Sequence, residues 1–168
     1  MADEIEIVEY DPAWPARFAD EAARIATVLG EAAIAIEHVG STAVPGLAAK
    51  PVIDIDVTLR SFADDRARAI EALEGLGYSY WAANPDPGHL FFVKGLPPAA
   101  TRTHHVHVFA RAEETARRRA FRDRLRADRA EAARYAALKR ELASRHRSDR
   151  DAYTAAKAAY VAEVVARR

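Results

Sequence analysis

The segment Val52-Ile-Asp-Ile-Asp-Val-Thr-Leu59 alternates so strictly that it reads as a strand with two unlike faces. Ile53, Ile55, Val57 and Leu59 share one face, while Val52, Asp54, Asp56 and Thr58 share the other. The apolar face needs a covering layer. The opposite face carries two carboxylates about 7 Å apart, which repel each other unless a cation or a proton sits between them. Mg²⁺ prefers oxygen ligands and is commonly held by one or two carboxylates together with substrate phosphates. Asp54 and Asp56 are therefore candidate metal ligands, although an Asp-x-Asp also occurs on plain exposed strands.

The flanking sequence supplies the layers. Asp11 can cap a helix with Pro12 at its first position, and Trp14, Phe18, Ala22, Ile25 and Leu29 follow at helical spacing up to Gly30. Ile5 and Ile7 before it suit a short strand, and residues 33–39 a longer one. A helix is expected from near Ser61 to Leu76, ended by Gly77. Strands are expected at Tyr78–Trp81, Leu90–Lys94 and Thr103–Phe109, with a turn at Asn84–Gly88 and a Gly95-Leu-Pro-Pro loop between the last two. From Glu113 onward the chain is helical and rich in alanine and arginine, with Ser148-Asp149 before the final helix. The expectation is one α/β domain over 1–168: a mixed sheet with helices packed on it (core about 5–110) and a C-terminal helical part (about 111–168).

The 168 residues carry 25 basic and 25 acidic groups, a balance that hides an asymmetry. Residues 1–60 hold 4 basic and 11 acidic groups, a net of −7; residues 111–150 hold 14 and 7, a net of +7. Either the two segments pack together and pair, or the basic one attracts phosphates. A net charge of zero does not point to nucleic acid as partner. An acidic start, no apolar run near the roughly 20 residues of a membrane span, and no cysteine fit a cytoplasmic protein that does not enter membranes. The absence of cysteine also excludes disulfides and thiolate chemistry. No P-loop, dinucleotide-binding glycine fingerprint or Gly-x-Ser-x-Gly elbow is present.

The loop before the aspartate strand adds to the case. Gly40-Ser41 follows a strand end, where bare backbone and a hydroxyl can approach a phosphate, and Lys50 stands just before the strand. A Gly-Ser, about a dozen residues, then Asp-x-Asp resembles the nucleotidyltransferase superfamily. More closely, Ile36-Glu-His-Val-Gly-Ser-Thr-Ala-Val-Pro-Gly-Leu-Ala-Ala-Lys-Pro-Val-Ile-Asp-Ile-Asp56 resembles the signature of the GrpB family. So do Tyr10-Asp-Pro-Ala-Trp14, Thr103-His-His-Val-His-Val108, Phe121-Arg-Asp-Arg-Leu-Arg126, Tyr135-Ala-Ala-Leu-Lys139, and Tyr153 with Lys157. The resemblance implies a nucleotidyltransferase-like fold, with Gly40 and Ser41 holding a nucleoside triphosphate and Asp54 and Asp56 holding metal. Some members are similar domains fused to dephospho-coenzyme A kinase.

Two departures from that pattern matter. Nucleotidyltransferases place a third carboxylate on a later strand, where this chain offers His105 and His107 on one face, and His104, Val106 and Val108 on the other. Imidazoles can ligate metal or accept a proton, and favour Mn²⁺ or Zn²⁺ more than carboxylates do. His89 stands where relatives often carry an arginine that would contact phosphate. Lys94 and Arg102 remain as phosphate-binding candidates, whereas Lys139 and Lys157 reach a ligand only if the terminal helices cover the cleft. Of Glu37 and His38, one should face the site, and Glu37 would either supply a carboxylate or anchor the Thr42–Gly46 loop.

The leading expectation is a metal-dependent nucleotidyltransferase-like protein with Asp54, Asp56 and His107 as catalytic residues. Asp54, Asp56, His105 and His107 would hold a divalent cation, Mg²⁺ or Mn²⁺ ahead of Zn²⁺. Its partner would be a nucleoside triphosphate or another phosphorylated small molecule. Alternatives are a catalytically inactive nucleotide- or metal-binding regulatory module, and a metal-dependent phosphohydrolase. The alanine-rich terminal helices could pair in a homo-oligomer.

Overall fold

In the computed structural model, which describes residues 4–96 and 100–167, the aspartate strand β2 (Ile53–Leu59) lies inside a five-stranded sheet. The other strands are β1 (Ala33–Val39), β3 (Tyr78–Tyr80), β4 (His89–Lys94) and β5 (His104–Phe109), in the order β1-β2-β5-β4-β3. Only β2 and β5 run parallel; the other neighbours are antiparallel. Helices α1 (Trp14–Leu29) and α2 (Phe62–Gly75) cover one face. The other face meets α3 (Ala112–Ala127), α4 (Arg129–Arg145) and α5 (Arg150–Ala166).

The alternation of β2 sets this layering. Ile53, Ile55 and Val57 join Val106 and Val108 of β5, Leu90 and Phe92 of β4, and Trp14, Ile25, Leu29 and Leu73 of the helices in one buried cluster. Burying an aliphatic side chain of this size contributes about 1.5–3 kcal/mol, so a one-residue slip of β2 would expose four core residues and bury two carboxylates in their place.

The second cluster is small and holds the C-terminal helices in place. Val44 and Leu47, from the loop between β1 and β2, insert among Phe121 and Leu125 of α3, Tyr135 of α4 and Val164 of α5. The same loop that carries Gly40 and Ser41 is thus the hydrophobic anchor for the helical layer. Charge does the rest. Arg118 pairs with Asp56, Arg119 with Glu37, Arg140 with Glu9 and Arg147 with Glu4. The basic and acidic segments thus meet in these pairs, while other arginines of the basic segment pair within it, as Arg117 does with Glu114 and Arg145 with Glu141; pairs at the surface add little stability.

Local corrections are few. Helix α1 starts at Trp14 rather than Pro12: Asp11 accepts a 2.8 Å bond from the Ala13 N–H, and Pro15 occupies the first turn. Ile5 and Ile7 form no strand; Val8 makes an isolated bridge to Ala49 instead. Ser61 and Asp149 do cap α2 and α5. Pro97 and Pro98 of the β4–β5 connection, and the first three residues, lie outside the described residues. No helix among the described residues is long and apolar enough to cross a membrane.

Candidate functional site

Gly40 passes directly over Asp54. Its φ of 70° is one that side-chain-bearing residues rarely adopt, and a Cβ built there would lie 2.5 Å from Asp54 Oδ2. The chain then turns through a short 3₁₀ segment, Ser41–Ala43, so that Gly40 and Ser41 both line a cleft of about 1190 Å³. His38 secures the turn: its Nε2 is 2.9 Å from Thr42 Oγ1, and its ring stacks on Phe18 at 4.7 Å. Burial, the largest cause, pushes His38 down to about 4, so this anchor is neutral at physiological pH. The loop anchor is therefore His38. Glu37, on the cleft-side face, accepts a 2.9 Å bond from Arg119.

The parallel register of β2 and β5 places Asp54 opposite His105 and Asp56 opposite His107, all on the cleft side. His105 Nδ1 lies 3.2 Å and His107 Nε2 3.9 Å from Asp54 Oδ1, and the three ligand atoms fall within 4.8 Å of one another. Despite burial, the two imidazoles hold the Asp54 carboxyl well below its usual range. Burial, reinforced by Arg118, pushes His107 down to about 3. One carboxylate and two imidazoles make a mixed O/N donor set, which suits Mn²⁺ or Zn²⁺ better than Mg²⁺.

A hydrogen-bonded relay sets the proton positions behind His107. Asn84 Nδ2 donates to the His89 carbonyl at 3.0 Å, and its Oδ1 accepts from the Asp86 N–H at 3.1 Å, which fixes the amide orientation. The same Nδ2 then donates to His89 Nδ1 at 2.9 Å, leaving the His89 proton on Nε2, 3.0 Å from His107 Nδ1. Neutral His107 consequently carries its own proton on Nε2, toward Asp54. Coordination of a cation through that nitrogen requires the proton to leave it.

Asp56 differs from Asp54. It is 1% exposed, and the Arg118 Nε–H donates to both carboxylate oxygens at 2.9 Å. Burial pushes the Asp56 carboxyl up, and Arg118 opposes that push. The predicted metal pair is thus divided: Asp54 faces the cleft beside two histidines, while Asp56 is engaged by a guanidinium from α3. Lys94, expected at the phosphate site, lies elsewhere. It pairs across the sheet with His104, faces α1, and donates to Glu21 at 2.6 Å. Strand parity causes this, because Lys94 shares the face of Leu90 and Phe92. Lys50 and Arg102 do line the cleft.

Helices α4 and α5 form the opposite wall with Tyr135, Lys139, Tyr153 and Lys157. Lys139 is 2% exposed and donates to the Ala48 carbonyl, and Lys157 Nζ sits 4.0 Å from the centre of the Tyr153 ring. Burial and neighbouring cations push both lysines down to about 7. Trp81, 45% exposed, stands at the rim. Nothing in the sequence singles out Arg118 among so many arginines. Asn84 sat in an evident turn, and only its contact with His89 reveals a role.

Residues 4–167 match the family described as GrpB protein. The chain is 49% identical over 166 residues to the UPF0157 protein PA4798 of Pseudomonas aeruginosa, covering 98% of this chain and 68% of that one. It is 39% identical over 164 residues to the UPF0157 protein BH1888 of Halalkalibacterium halodurans, covering 97% and 82%. Its fold is similar to the crystal structure of the conserved protein GrpB from Enterococcus faecalis, with a TM-score of 0.84 and 36% identity over 95% of this chain and 94% of that one.

Proposed function

The chain belongs to the GrpB family, and from that premise we propose that its cleft binds a nucleoside triphosphate beside a divalent cation and transfers the nucleotidyl group to an acceptor. The observation that carries this reading is the Asp54–His105–His107 cluster at the cleft floor, with Gly40 and Ser41 directly beside it. Asp54 and His105 would hold the cation, with His107 joining once its Nε2 proton is displaced. A cation there would polarise phosphoryl oxygens and lower the pKa of an attacking hydroxyl. Backbone N–H groups and the hydroxyl at Gly40-Ser41 would bind the phosphates, and Lys50 and Arg102 would offset their charge.

The test is a thermal-shift panel of nucleoside triphosphates and coenzyme A precursors with Mg²⁺, Mn²⁺ or neither, on wild type and Asp54→Asn. A ligand present at a hundred times its Kd stabilises the native state by about 2.7 kcal/mol. A cation-dependent rise in Tm in wild type that disappears in Asp54→Asn is the expected result. Equal rises in both proteins, or a flat panel, would overturn the proposal. Asp54→Asn is the informative variant, because Asp56→Asn also breaks the Arg118 pair.

A second reading, a binding module without turnover, is favoured by that same pair, since a two-cation mechanism needs the second carboxylate that Arg118 engages. Nucleotide binding with no released pyrophosphate under any cation would select it.

A further inference from the structure

On the sheet side of the cleft Asp54 faces two histidines and Asp56 an arginine, whereas the helical side presents two lysines to rings and a carbonyl. Lys139, on α4, is almost fully buried, and Lys157, on α5, is partly buried. Among the described residues neither is paired with a carboxylate. Their partners are the Ala48 carbonyl and the faces of Tyr135 and Tyr153, with Lys139 Nζ 4.8 Å and Lys157 Nζ 4.0 Å from the ring centres. Lys50, at the end of the Gly40 loop, lies over the other part of the group, 5.2 Å from the Tyr153 ring. The Tyr153 hydroxyl is buried in the same wall with no hydrogen-bond partner among the described residues.

These two helices do pair a buried charge elsewhere. Glu131, 1% exposed on α4, is bonded to Arg134 at 2.6 Å, to Arg167 at 2.9 Å and to the Tyr160 hydroxyl. A buried cation left without a counter-charge is costly, so such a lysine gives up its proton readily and takes it back when an anion is supplied. We infer that Lys139 and Lys157, together with Lys50 and the Tyr153 hydroxyl, form a polyphosphate subsite on the helical wall that binds its ligand without a metal ion. The inference rests on the proposal that the cleft takes a phosphorylated ligand, and assigns the part of that ligand farthest from the cation.

The electrostatics agree with this placement. Burial is the largest cause holding both lysines near 7, followed for Lys139 by Lys157, Arg140 and Lys50, and for Lys157 by Lys50; Asp54 opposes it. A polyanion would raise both lysines and draw protons onto the protein as it binds.

Inorganic tripolyphosphate, titrated calorimetrically at pH 7.5 with a chelator present, tests the subsite directly. Wild type should bind it, with proton uptake visible as a dependence of the heat on buffer ionisation enthalpy. Lys157→Gln should weaken binding by about tenfold or more, the worth of one charge-assisted hydrogen bond. Lys157→Arg should retain it. Asp54→Asn should bind as well as wild type or better, since it removes an anion that faces the lysines. Lys157→Gln should also unfold no earlier than wild type, so its loss of binding is not a loss of fold. Binding by Lys157→Gln equal to wild type, or no binding by wild type, overturns the inference. If tripolyphosphate fails while the cation-dependent nucleotide shift survives, the subsite is wrong and the proposed function stands. Tripolyphosphate binding with a flat nucleotide panel is the reverse case.

Discussion

Asp54 and Asp56 leave one strand on the same side, one residue apart, and differ in what the rest of the chain brings to them. Asp54 receives two imidazoles from β5 and the bare backbone of Gly40, and its side chain keeps 28% of its exposure. Asp56 receives Arg118, from a helix 62 residues later, and is sealed. Of the Asp54 neighbours, Gly40 brings no side chain and His107 is neutral. The Asp56 neighbour carries a full charge and ties the helical layer to the sheet. One carboxylate thus faces the open cleft, while the other ties the helical layer to the sheet.

The largest effect should come from breaking the sealed pair. Arg118→Ala leaves a buried carboxylate alone, which costs about 3–5 kcal/mol in comparable cases. Arg118→Met combined with Asp56→Asn should recover much of that loss, because neither partner is then left charged and unpaired. Urea denaturation of the single and double variants measures both. A single variant within about 1 kcal/mol of wild type would place Asp56 in the same class as Asp54.

Acid should act on the Asp54 side first. His107 and His38 are held near 3 and near 4, below the ordinary histidine value of 6.5. The unfolded chain therefore takes up their protons before the folded one does. Stability is full above about pH 6.5 and falls as pH drops toward those folded values, by up to about 1.4 kcal/mol per pH unit for each histidine. His107→Gln should remove one such contribution, seen as a shallower fall in Tm between pH 6.5 and 5. An unchanged slope would mean that His107 is protonated in the fold and pairs with Asp54 as Arg118 does with Asp56.

Gly40→Ala comes next. A positive φ and a Cβ 2.5 Å from Asp54 Oδ2 should together cost about 1–3 kcal/mol. Adding Asp54→Ala should return the steric part and leave the backbone part. No loss in the single variant would show that the turn can move off Asp54, and that the carboxylate is less confined than its contacts indicate.

What the sequence could announce follows from the range of each signal. Strand β2, its neighbours and the helical layers were legible because a period of two or of 3.6 is written in consecutive residues. The facing of His105 and His107 away from Val106 and Val108 followed from the same parity, and the cleft confirms their side. Lys94 sat at a strand end beside plausible neighbours, and only the β4–β5 register, Lys94 opposite His104, shows that it turns toward Glu21. The division between Asp54 and Asp56 was not readable at all. Nothing within their strand distinguishes them, and the distinguishing arginine is one of many on a helix whose rotation is set by Phe121 and Leu125 packing on Val44 and Leu47. Long-range pairing chosen among equivalent residues leaves no local trace.

The smallest effect on stability, and the sharpest contrast with Arg118→Ala, should be that of Asp54→Asn. The amide keeps the volume of the carboxylate and can still accept from His105 Nδ1, so the wall retains its packing. What it loses is the attraction between an anion and the two imidazoles that face it, together with a distant attraction to Lys139 and Lys157. Set against these is relief from desolvating a charge. Because the carboxyl lies below its usual range even with that desolvation counted, the sum should be a loss of about 1 kcal/mol, far short of that of Arg118→Ala. Equilibrium denaturation at pH 7.5 measures it. A loss as large as that of Arg118→Ala would mean that Asp54 too holds the fold together, and the cleft would then have no carboxylate to spare for a ligand.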